Sequence, residues 1–356
     1  MRKNRGQEID MPKVSVIMAV YNGGGFLRPC LDSFVAQSFR DFEFLVMDDG
    51  SMDDTATILN EYASQDGRFK CFRQENKGLA VALNTLIGKS VGEYIARMDV
   101  DDLVSPERLA EQVAYLDAHP DVNLVTSGVA HFLKNGRLIF AVCPKERSSK
   151  ADEDILCGRR NTLVHGSVML RSKALKEFPM PYRTRYGQDY DLWIRCLSKG
   201  WKFATIPRIL YFYRKGSALQ ENDAKNAIRD GQRKAAVALL SEGRLFDDEY
   251  CLTAFAKIAE DVRGRKRKSR LSFVVKRWAY DMFSKYIWLL HPECVRAKVY
   301  DVLFARRGAD YLKYYELKKL VLPAFWKSVD GLKGIAIVCI AFEYVAATSQ
   351  NMISAG

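Results

Sequence analysis

Residues 14–20 read VSVIMAV and are followed at residues 21–25 by YNGGG. A continuous apolar run of this length, closed by turn-forming residues, is typical of a strand buried on both faces of a parallel sheet. Residues 26–37 continue with apolar side chains at helical spacing. The three segments predict a strand, a turn and a helix, which together open a β-α-β unit.

The same alternation of strand and helix continues through residue 98. The next predicted strands are 42–47, 69–72 and 94–98, and the helices between them are 55–64 and 79–87. This pattern predicts an α/β fold with a parallel sheet and right-handed crossovers. Ligands of such sheets bind at the carboxyl ends of the strands, so we expect functional side chains there.

Composition sets further limits on the class of protein. The chain has 356 residues, of which 48% are hydrophobic, so it can bury a core and is not disordered as a whole. Its formal net charge of +12 favours an anionic partner. The eight cysteines include no CxxC pair and no cluster with histidine, which argues against a zinc site or a disulfide framework.

The sequence also bears on location. Residues 1–8 lack the apolar segment of a secretory signal, and no apolar run reaches the ~18 residues that a spanning helix needs. The longest run, 334–342, is stopped by Glu343. We therefore expect a cytoplasmic protein that can touch a membrane without crossing it.

Polar and acidic residues follow three of the predicted strands. The second strand ends in the sequence DDGS at 48–51, which by itself is also ordinary turn and helix-capping chemistry. The fourth strand ends in Asp99, Asp101 and Asp102, three carboxylates whose mutual repulsion a bound cation would remove. Oxygen ligands of this kind suit Mg²⁺ or Mn²⁺. An acidic turn before the next helix remains the alternative interpretation.

Taken in order, these motifs resemble family 2 of the inverting glycosyltransferases over about residues 12–215. The motifs that carry the resemblance are VSVIMAVYN at 14–22, DDGS at 48–51, NKG at 76–78, DVDD at 99–102, HGSVM at 165–169 and QDYDLW at 188–193. The resemblance implies the GT-A fold, which is Rossmann-like with a mostly parallel sheet flanked by helices. It also implies that a sugar is transferred from a nucleotide-sugar donor with inversion at the anomeric carbon.

The resemblance further implies roles for individual residues on the donor side. The implied donor-binding residues are Ala19, Tyr21, Asn22, Asp49, Lys77 and Asp99. Tyr21 would stack on the base, and Asp49 would accept a hydrogen bond from a base N–H, which favours uracil. Asp99 and Asp101 would hold the metal ion. Lys77 is equally compatible with a solvated loop lysine.

On the acceptor side, inverting transfer needs a general base, and Asp189 matches the family's base. Asp189 is also compatible with a simple role at a helix N-terminus, where an acid is favoured by the dipole. Asp191 is expected to cap the helix or to pair with Arg195 rather than to act in catalysis. His165, Gly166 and Gln188 would border the acceptor, although His165 could equally be structural.

Three positions depart from the family pattern. Ala19 stands where the family usually has proline, and Gln188 stands where it often has glutamate. The loop at 215–218 reads KGSA and offers no histidine, so a third metal ligand from this loop is doubtful.

The chain after residue 220 reads as mostly helical and is more basic than the part before it. We predict a GT-A catalytic domain at 1–220 and a helical extension at 221–356. Six of the eight residues at 263–270 are basic, and an aromatic amphipathic segment follows to residue 290. This combination is typical of proteins that lie on anionic membrane surfaces, here the inner face of the plasma membrane, but the segment could also pack on the catalytic domain. No nucleic-acid-binding motif accompanies the basic run, so no nucleic acid is expected.

The prediction as a whole is a metal-dependent, inverting enzyme that moves one sugar, from a UDP-sugar, to a saccharide or lipid-linked saccharide acceptor in cell-surface polysaccharide synthesis. Processive family members carry a QxxRW motif, and residues 274–278 read VVKRW here, which favours single-sugar transfer. A non-catalytic nucleotide-sugar-binding module is one alternative. A nucleotidyltransferase is the other, but residues 23–25 lead into the first helix without an adjacent lysine.

Overall fold

The computed structural model describes residues 11–133, 135–216 and 223–264. The strands of this part are β1 Val14–Val20, β2 Phe42–Asp48, β3 Phe69–Arg73, β4 Tyr94–Arg97, β5 Leu103–Val104, β6 Leu124–Leu133, β7 Leu138–Val142, β8 Met169–Arg171 and β9 Phe203–Lys215. The helices are α1 Gly24–Val35, α2 Thr55–Gln65, α3 Leu79–Lys89, α4 Arg108–Ala118, α5 Ser149–Leu156, α6 Ser172–Lys176, α7 Gln188–Ser198, α8 Asp223–Ser241 and α9 Asp248–Gly264. A 3-10 turn lies at His165–Ser167.

One sheet organises this part of the chain, in the order β3-β2-β1-β4-β8-β6-β9-β5, with β7 on β6. The first four strands in that order run parallel, as the sequence predicts. Antiparallel pairs enter only beyond β4, where β8 lies between β4 and β6. The α/β fold class, with a sheet flanked by helices in the GT-A manner, is therefore confirmed.

The apolar run in β1 is explained by burial on both faces of the sheet. Val14, Val16 and Met18 join the core formed with α1, α2 and α4, whereas Ile17 points into the opposite core, which is formed with α3 and α7. Ser15 is polar and fully buried, and it donates a hydrogen bond of 2.6 Å to Glu43. Alternate residues thus face opposite layers of helix, as the pleat of a strand requires.

The helices α8 and α9 belong to the second core. Ala236, Leu239, Leu245 and Phe255 are buried there in the same cluster as Trp193 of α7. The start of the predicted extension therefore packs with α7, and the division at residue 220 stays a prediction. The predicted membrane-contacting side chains at 263–290 lie outside the described residues. Among the described helices, none is both long enough and apolar enough to cross a membrane.

A buried ion-pair network joins α7 to the start of α9. Arg183 donates to both oxygens of Asp191, at 3.0 and 2.6 Å, and to Asp248 at 2.8 Å. Arg195 donates to Asp191 at 2.9 Å, so the predicted pairing of these two residues is confirmed. The side chains of Arg183, Asp191 and Arg195 are at most 3% exposed, which makes each charge dependent on the others.

We predict that Asp191→Ala destabilises the protein by about 3–5 kcal/mol, because the buried Arg195 loses its carboxylate partner and the buried Arg183 keeps Asp248 but loses Asp191. The free energy of unfolding would be measured by urea denaturation. Asp230→Ala serves as the control, since Asp230 is exposed and pairs with Arg233 on the surface of α8. We expect a change within about 0.5 kcal/mol for the control. Equal effects of the two substitutions would contradict the structural role of the network.

Candidate functional site

The carboxyl ends of β1, β2 and β4 meet at one edge of the sheet, because these strands are parallel neighbours. Tyr21, Asp49 and Asp99 follow the three strand ends, so the structure brings them to the edge that the sequence predicts. Tyr21 is 41% exposed, which leaves its ring accessible for stacking. Ala19 lies in β1, two residues before Tyr21. It is half-buried and packs against the second core.

Asn22 connects the loops that follow β1 and β2. Its backbone N–H donates to Ser51 at 2.9 Å, and its side-chain oxygen accepts from the N–H of Met52 at 2.8 Å. Its φ of 51° lies in the left-handed region, which asparagine tolerates better than most residues. The side chain of Asn22, a predicted donor-binding residue, therefore holds the loop after β2 against the loop after β1.

Asp49 is buried and accepts three hydrogen bonds from the loop that precedes α3. Gln74 and the N–H of Lys77 donate to Oδ1 at 2.7 and 2.9 Å, and the N–H of Gly78 donates to Oδ2 at 2.8 Å. Asp49 thereby shapes this loop, while the side chain of Lys77 is exposed. Beside it lies a cavity of about 540 Å³, lined by Gly50, Arg73, Gln74, Glu75 and Asn76.

The acidic turn after β4 contains carboxylates in different environments. Asp102 is buried, and it accepts from the hydroxyl of Tyr211 at 2.6 Å and from the N–H of Arg214 at 2.7 Å. Burial, together with the charges of Asp99 and Asp101, raises the pKa of the Asp102 carboxyl well above its ordinary value. Asp102 is thus a structural acid, which leaves Asp99 and Asp101 as the partly accessible members of the turn.

Arg97 is the main counter-charge of this turn. Its guanidinium is 2% exposed and forms an ion pair with Asp99. Burial by itself would lower the pKa of Arg97, but the charge of Asp99 and the neighbouring tyrosines together raise it above its ordinary value. Arg214 adds a second guanidinium, whose Nε donates to the carbonyl of Asp101 at 2.6 Å. The repulsion that the sequence indicates is therefore partly balanced by arginine within the chain.

The predicted metal site can be tested by its donor atoms. Among the described residues, no three side chains of His, Cys, Asp or Glu are grouped to hold a metal ion. Asp99 and Asp101 offer carboxylate oxygens, which Mg²⁺ and Mn²⁺ prefer. Such ions commonly take one or two protein carboxylates and complete their shell with phosphate oxygens and water. The residues present fit an ion held in that way.

His165 and Gly166 lie in the 3-10 turn, which leads into Val168 beside β4. Nε2 of His165 is 2.8 Å from the hydroxyl of Tyr182, and the ring packs edge-on against Trp193. Burial, assisted by the charges of Arg97 and Arg229, lowers the pKa of His165 well below its ordinary value, so the ring is neutral. A Cβ at position 166 would overlap the Tyr211 hydroxyl, so this approach requires glycine.

Asp189 lies in the first turn of α7, directly after Gln188 and the left-handed Gly187. Asn161 donates to its Oδ2 at 2.8 Å. Burial raises the pKa of the Asp189 carboxyl, although the N–H of Tyr190 and the charges of Arg229 and Arg97 oppose the shift. Gln188 is buried, and its side-chain oxygen has no hydrogen-bond partner among the described residues.

Sequence reasoning missed several residues of this site. Arg97 gave a signal, because it is a charged residue at the end of an otherwise apolar strand. Tyr211 and Asn161 gave none, since each meets its partner only through the fold. Arg229, whose charge reaches both His165 and Asp189, lies on α8, beyond the motifs that carry the resemblance.

Comparison with known proteins identifies relatives of this chain. Residues 15–178 match the family model described as Glycosyl transferase family 2. The chain is 35% identical over 211 residues to the putative glycosyltransferase EpsE of Bacillus subtilis strain 168, covering 58% of this chain and 74% of that protein. It is 28% identical over 206 residues to the amylovoran biosynthesis glycosyltransferase AmsE of Erwinia amylovora, covering 57% and 76%. A crystal structure of S. aureus TarS 1-349 in complex with UDP-GlcNAc is similar with a TM-score of 0.49 and 20% identity, over 69% of this chain and 72% of that one.

We predict that Asp49→Asn loosens the loop at 74–78. The substitution removes the charge that three donors share and places an amide N–H₂ against some of them. Because a hydrogen bond to a charged group contributes about 1.5–3 kcal/mol, loop opening should rise about tenfold or more. Limited trypsin digestion would report this as faster cleavage after Lys77. Asp53→Asn is the matched control, since Asp53 caps a different loop through the N–H of Gly24. Unchanged cleavage in Asp49→Asn would contradict the anchoring role.

Proposed function

The chain belongs to glycosyltransferase family 2, and from this premise we propose that it transfers one sugar from a UDP-sugar with inversion at the anomeric carbon. The observation that carries the proposal is the meeting of Tyr21, Asp49, Asp99 and Asp101 at one edge of the sheet. Asp189, at the start of α7, would supply the general base for the same reaction.

The nucleoside would bind between Tyr21 and the loop held by Asp49. The exposed ring of Tyr21 can stack on a base, which is favourable for any base because each has a π face. Among the described residues, Oδ2 of Asp49 accepts one hydrogen bond, from the N–H of Gly78, and its carboxylate geometry allows a second from a base N–H. Such an acceptor suits the N–H of uracil. Lys77 is part of this loop, and its exposed side chain would meet the diphosphate.

The diphosphate would lie over Asp99 and Asp101, where a bound Mn²⁺ or Mg²⁺ would offset the charge that develops on the leaving group. Asp99 is held in place by Arg97, and the backbone of Asp101 is held by Arg214. These arginines keep the carboxylates oriented and reduce the cost of placing them together. Asp102 remains buried below them with its own partners.

Asp189 would remove the proton of the acceptor hydroxyl as that oxygen attacks the anomeric carbon. The bond from this carbon to the diphosphate oxygen breaks as the bond to the acceptor oxygen forms, and its electron pair leaves with the nucleoside diphosphate. A carboxyl whose pKa is raised by burial is a stronger base than an exposed aspartate. The neutral ring of His165 and the side chain of Gln188 would border the acceptor.

The acceptor would be a saccharide or lipid-linked saccharide in cell-surface polysaccharide synthesis. The name of the relative AmsE, which refers to amylovoran biosynthesis, supports a role in polymer assembly. A lipid-linked acceptor is compatible with a cytoplasmic enzyme that is peripheral on the inner face of the plasma membrane. The basic and aromatic residues at 263–290 would provide that contact.

We predict that one nucleoside diphosphate stabilises the protein in the presence of Mn²⁺. A thermal-shift panel of UDP, GDP, dTDP and CMP, each with and without Mn²⁺, would rank the nucleotides. A ligand at 100 times its Kd stabilises the native state by about 2.7 kcal/mol, so the shift is measurable. Asp101→Ala should remove the shift that depends on the metal, whereas the exposed control Asp121→Ala should retain it. If none of the four nucleotides stabilises the protein, the proposal that this site binds a nucleotide-sugar donor is contradicted.

We predict that Asp189→Asn retains donor binding and loses transfer by about 10²–10⁴-fold, the usual contribution of a general base. Because a base acts when deprotonated and the pKa of Asp189 is raised, kcat/KM should increase with pH through a pKa above ~3.9. Measurement of UDP release and of UDP binding would separate the two effects. Asp230→Asn is the control, and near-normal turnover in Asp189→Asn would reject this assignment.

A further inference from the structure

Asn161 lies outside every motif that the sequence indicates, yet its side chain contacts Asp189, the proposed general base. It is in the loop that follows α5, 28 residues before Asp189. Its Nδ2 donates to Asp189 Oδ2 at 2.8 Å, and its Oδ1 accepts from the N–H of Leu163 at 3.1 Å. The side chain therefore bridges a fixed point of its own loop to the carboxylate.

The orientation of the Asn161 amide is determined by these two partners. The N–H of Leu163 can only donate, so the atom that faces it must be the amide oxygen. The amide nitrogen then necessarily faces Asp189, whose carboxylate can accept. An asparagine held in this way cannot turn its oxygen toward the carboxylate without losing both hydrogen bonds.

We propose that Asn161 is a positioning residue that holds Asp189 through Oδ2 and leaves Oδ1 to accept the proton of the acceptor hydroxyl. This inference rests on the proposed function, since it concerns the base of that reaction. In the transfer step the proton moves from the acceptor oxygen to Oδ1 of Asp189. The acceptor oxygen forms its bond to the anomeric carbon, and the electron pair of the broken bond departs with the nucleoside diphosphate.

Fixing one oxygen has two consequences for a general base. A carboxylate that can rotate presents either oxygen at variable angles, and small errors of geometry are costly in catalysis. A hydrogen bond to the ionised form also favours that form, which keeps the carboxylate ready to accept a proton. The other groups that act on Asp189 include the backbone N–H of Tyr190, the charges of Arg229 of α8 and Arg97 of β4, and the hydroxyl of Tyr182. The two arginines act by charge on the whole carboxylate, whereas Asn161 selects one oxygen.

The substitution Asn161→Asp isolates this interaction. The aspartate can still accept from Leu163 through one oxygen, so the loop is retained, but it places a second carboxylate oxygen against Oδ2 of Asp189. Two carboxylates at hydrogen-bond distance share a proton, which raises the apparent pKa of the pair. Asn161→Ala removes the donor without adding charge. Asn123→Asp is the matched control, since Asn123 anchors another loop by accepting from the N–H of Lys202.

The assay would follow UDP release from UDP-glucose, UDP-galactose and UDP-N-acetylglucosamine with Mn²⁺, with water as the acceptor, across a range of pH. We expect Asn161→Ala to lower kcat about 10-fold to 100-fold while the KM for the donor stays within about twofold. We expect Asn161→Asp to move the acid limb of the kcat profile up by about one pH unit or more. Asn123→Asp should match the wild type in both respects.

Each outcome bears on the inference. If Asn161→Asp leaves both kcat and the acid limb of its pH profile unchanged, the positioning role is overturned. It is also overturned if activity is lost only through a higher KM for the donor while the acid limb stays in place. Near-normal UDP release by Asp189→Asn would instead overturn the proposed base, and the role of Asn161 would fall with it. If Asp189→Asn is inactive but the Asn161 variants show the wild-type kcat and acid limb, only the positioning role is rejected.

Discussion

The structure depends on how the chain tolerates three carboxylates within four residues at the end of β4. Asp99, Asp101 and Asp102 would repel one another strongly if all were equally exposed and unpaired. Instead Asp99 pairs with the buried Arg97, and Asp102 is withdrawn from solvent onto the Tyr211 hydroxyl and the N–H of Arg214. Because the partners of Asp102 come from β9, the acidic turn depends on the part of the sheet that lies beyond β4. The fold and the site are therefore stabilised by the same contacts.

A second buried arginine holds the backbone that carries this turn. Arg108 of α4 donates to the carbonyls of Arg97 and Val168, at 3.0 and 3.2 Å, and is fully buried. Burial lowers its pKa to about 10, and the guanidinium remains charged at neutral pH. It thus joins β4 to Val168, which follows the 3-10 turn in which Gly166 allows Tyr211 to approach.

Much of the proposed donor half of the site could be predicted from sequence, and the reason is geometric. The parallel strands β1, β2 and β4 have strong apolar signals, and parallel strands necessarily end at one edge, so Tyr21, Asp49 and Asp99 were placed correctly relative to the sheet. Their hydrogen-bond partners could not be predicted in the same way. Asp49 is bound by a loop up to 29 residues away, and Asn22 turns inward to hold the neighbouring loop. These contacts depend on loop conformation, which leaves no periodic pattern in the sequence.

The relation between Asp189 and Asp191 explains why the helices after residue 220 matter to the proposed acceptor half of the site. Two residues apart on a helix with 3.6 residues per turn, these side chains point in directions roughly 200° apart. Asp191 faces Arg183 and Arg195, which bind it, and so Asp189 lies on the opposite side of the first turn of α7, away from that network. Arg183 is in turn held by Asp248 of α9. The rotation of α7 about its axis, and with it the direction of Asp189, is therefore fixed by the ion pairs of Asp191, and Asp248 extends this network beyond the family motifs.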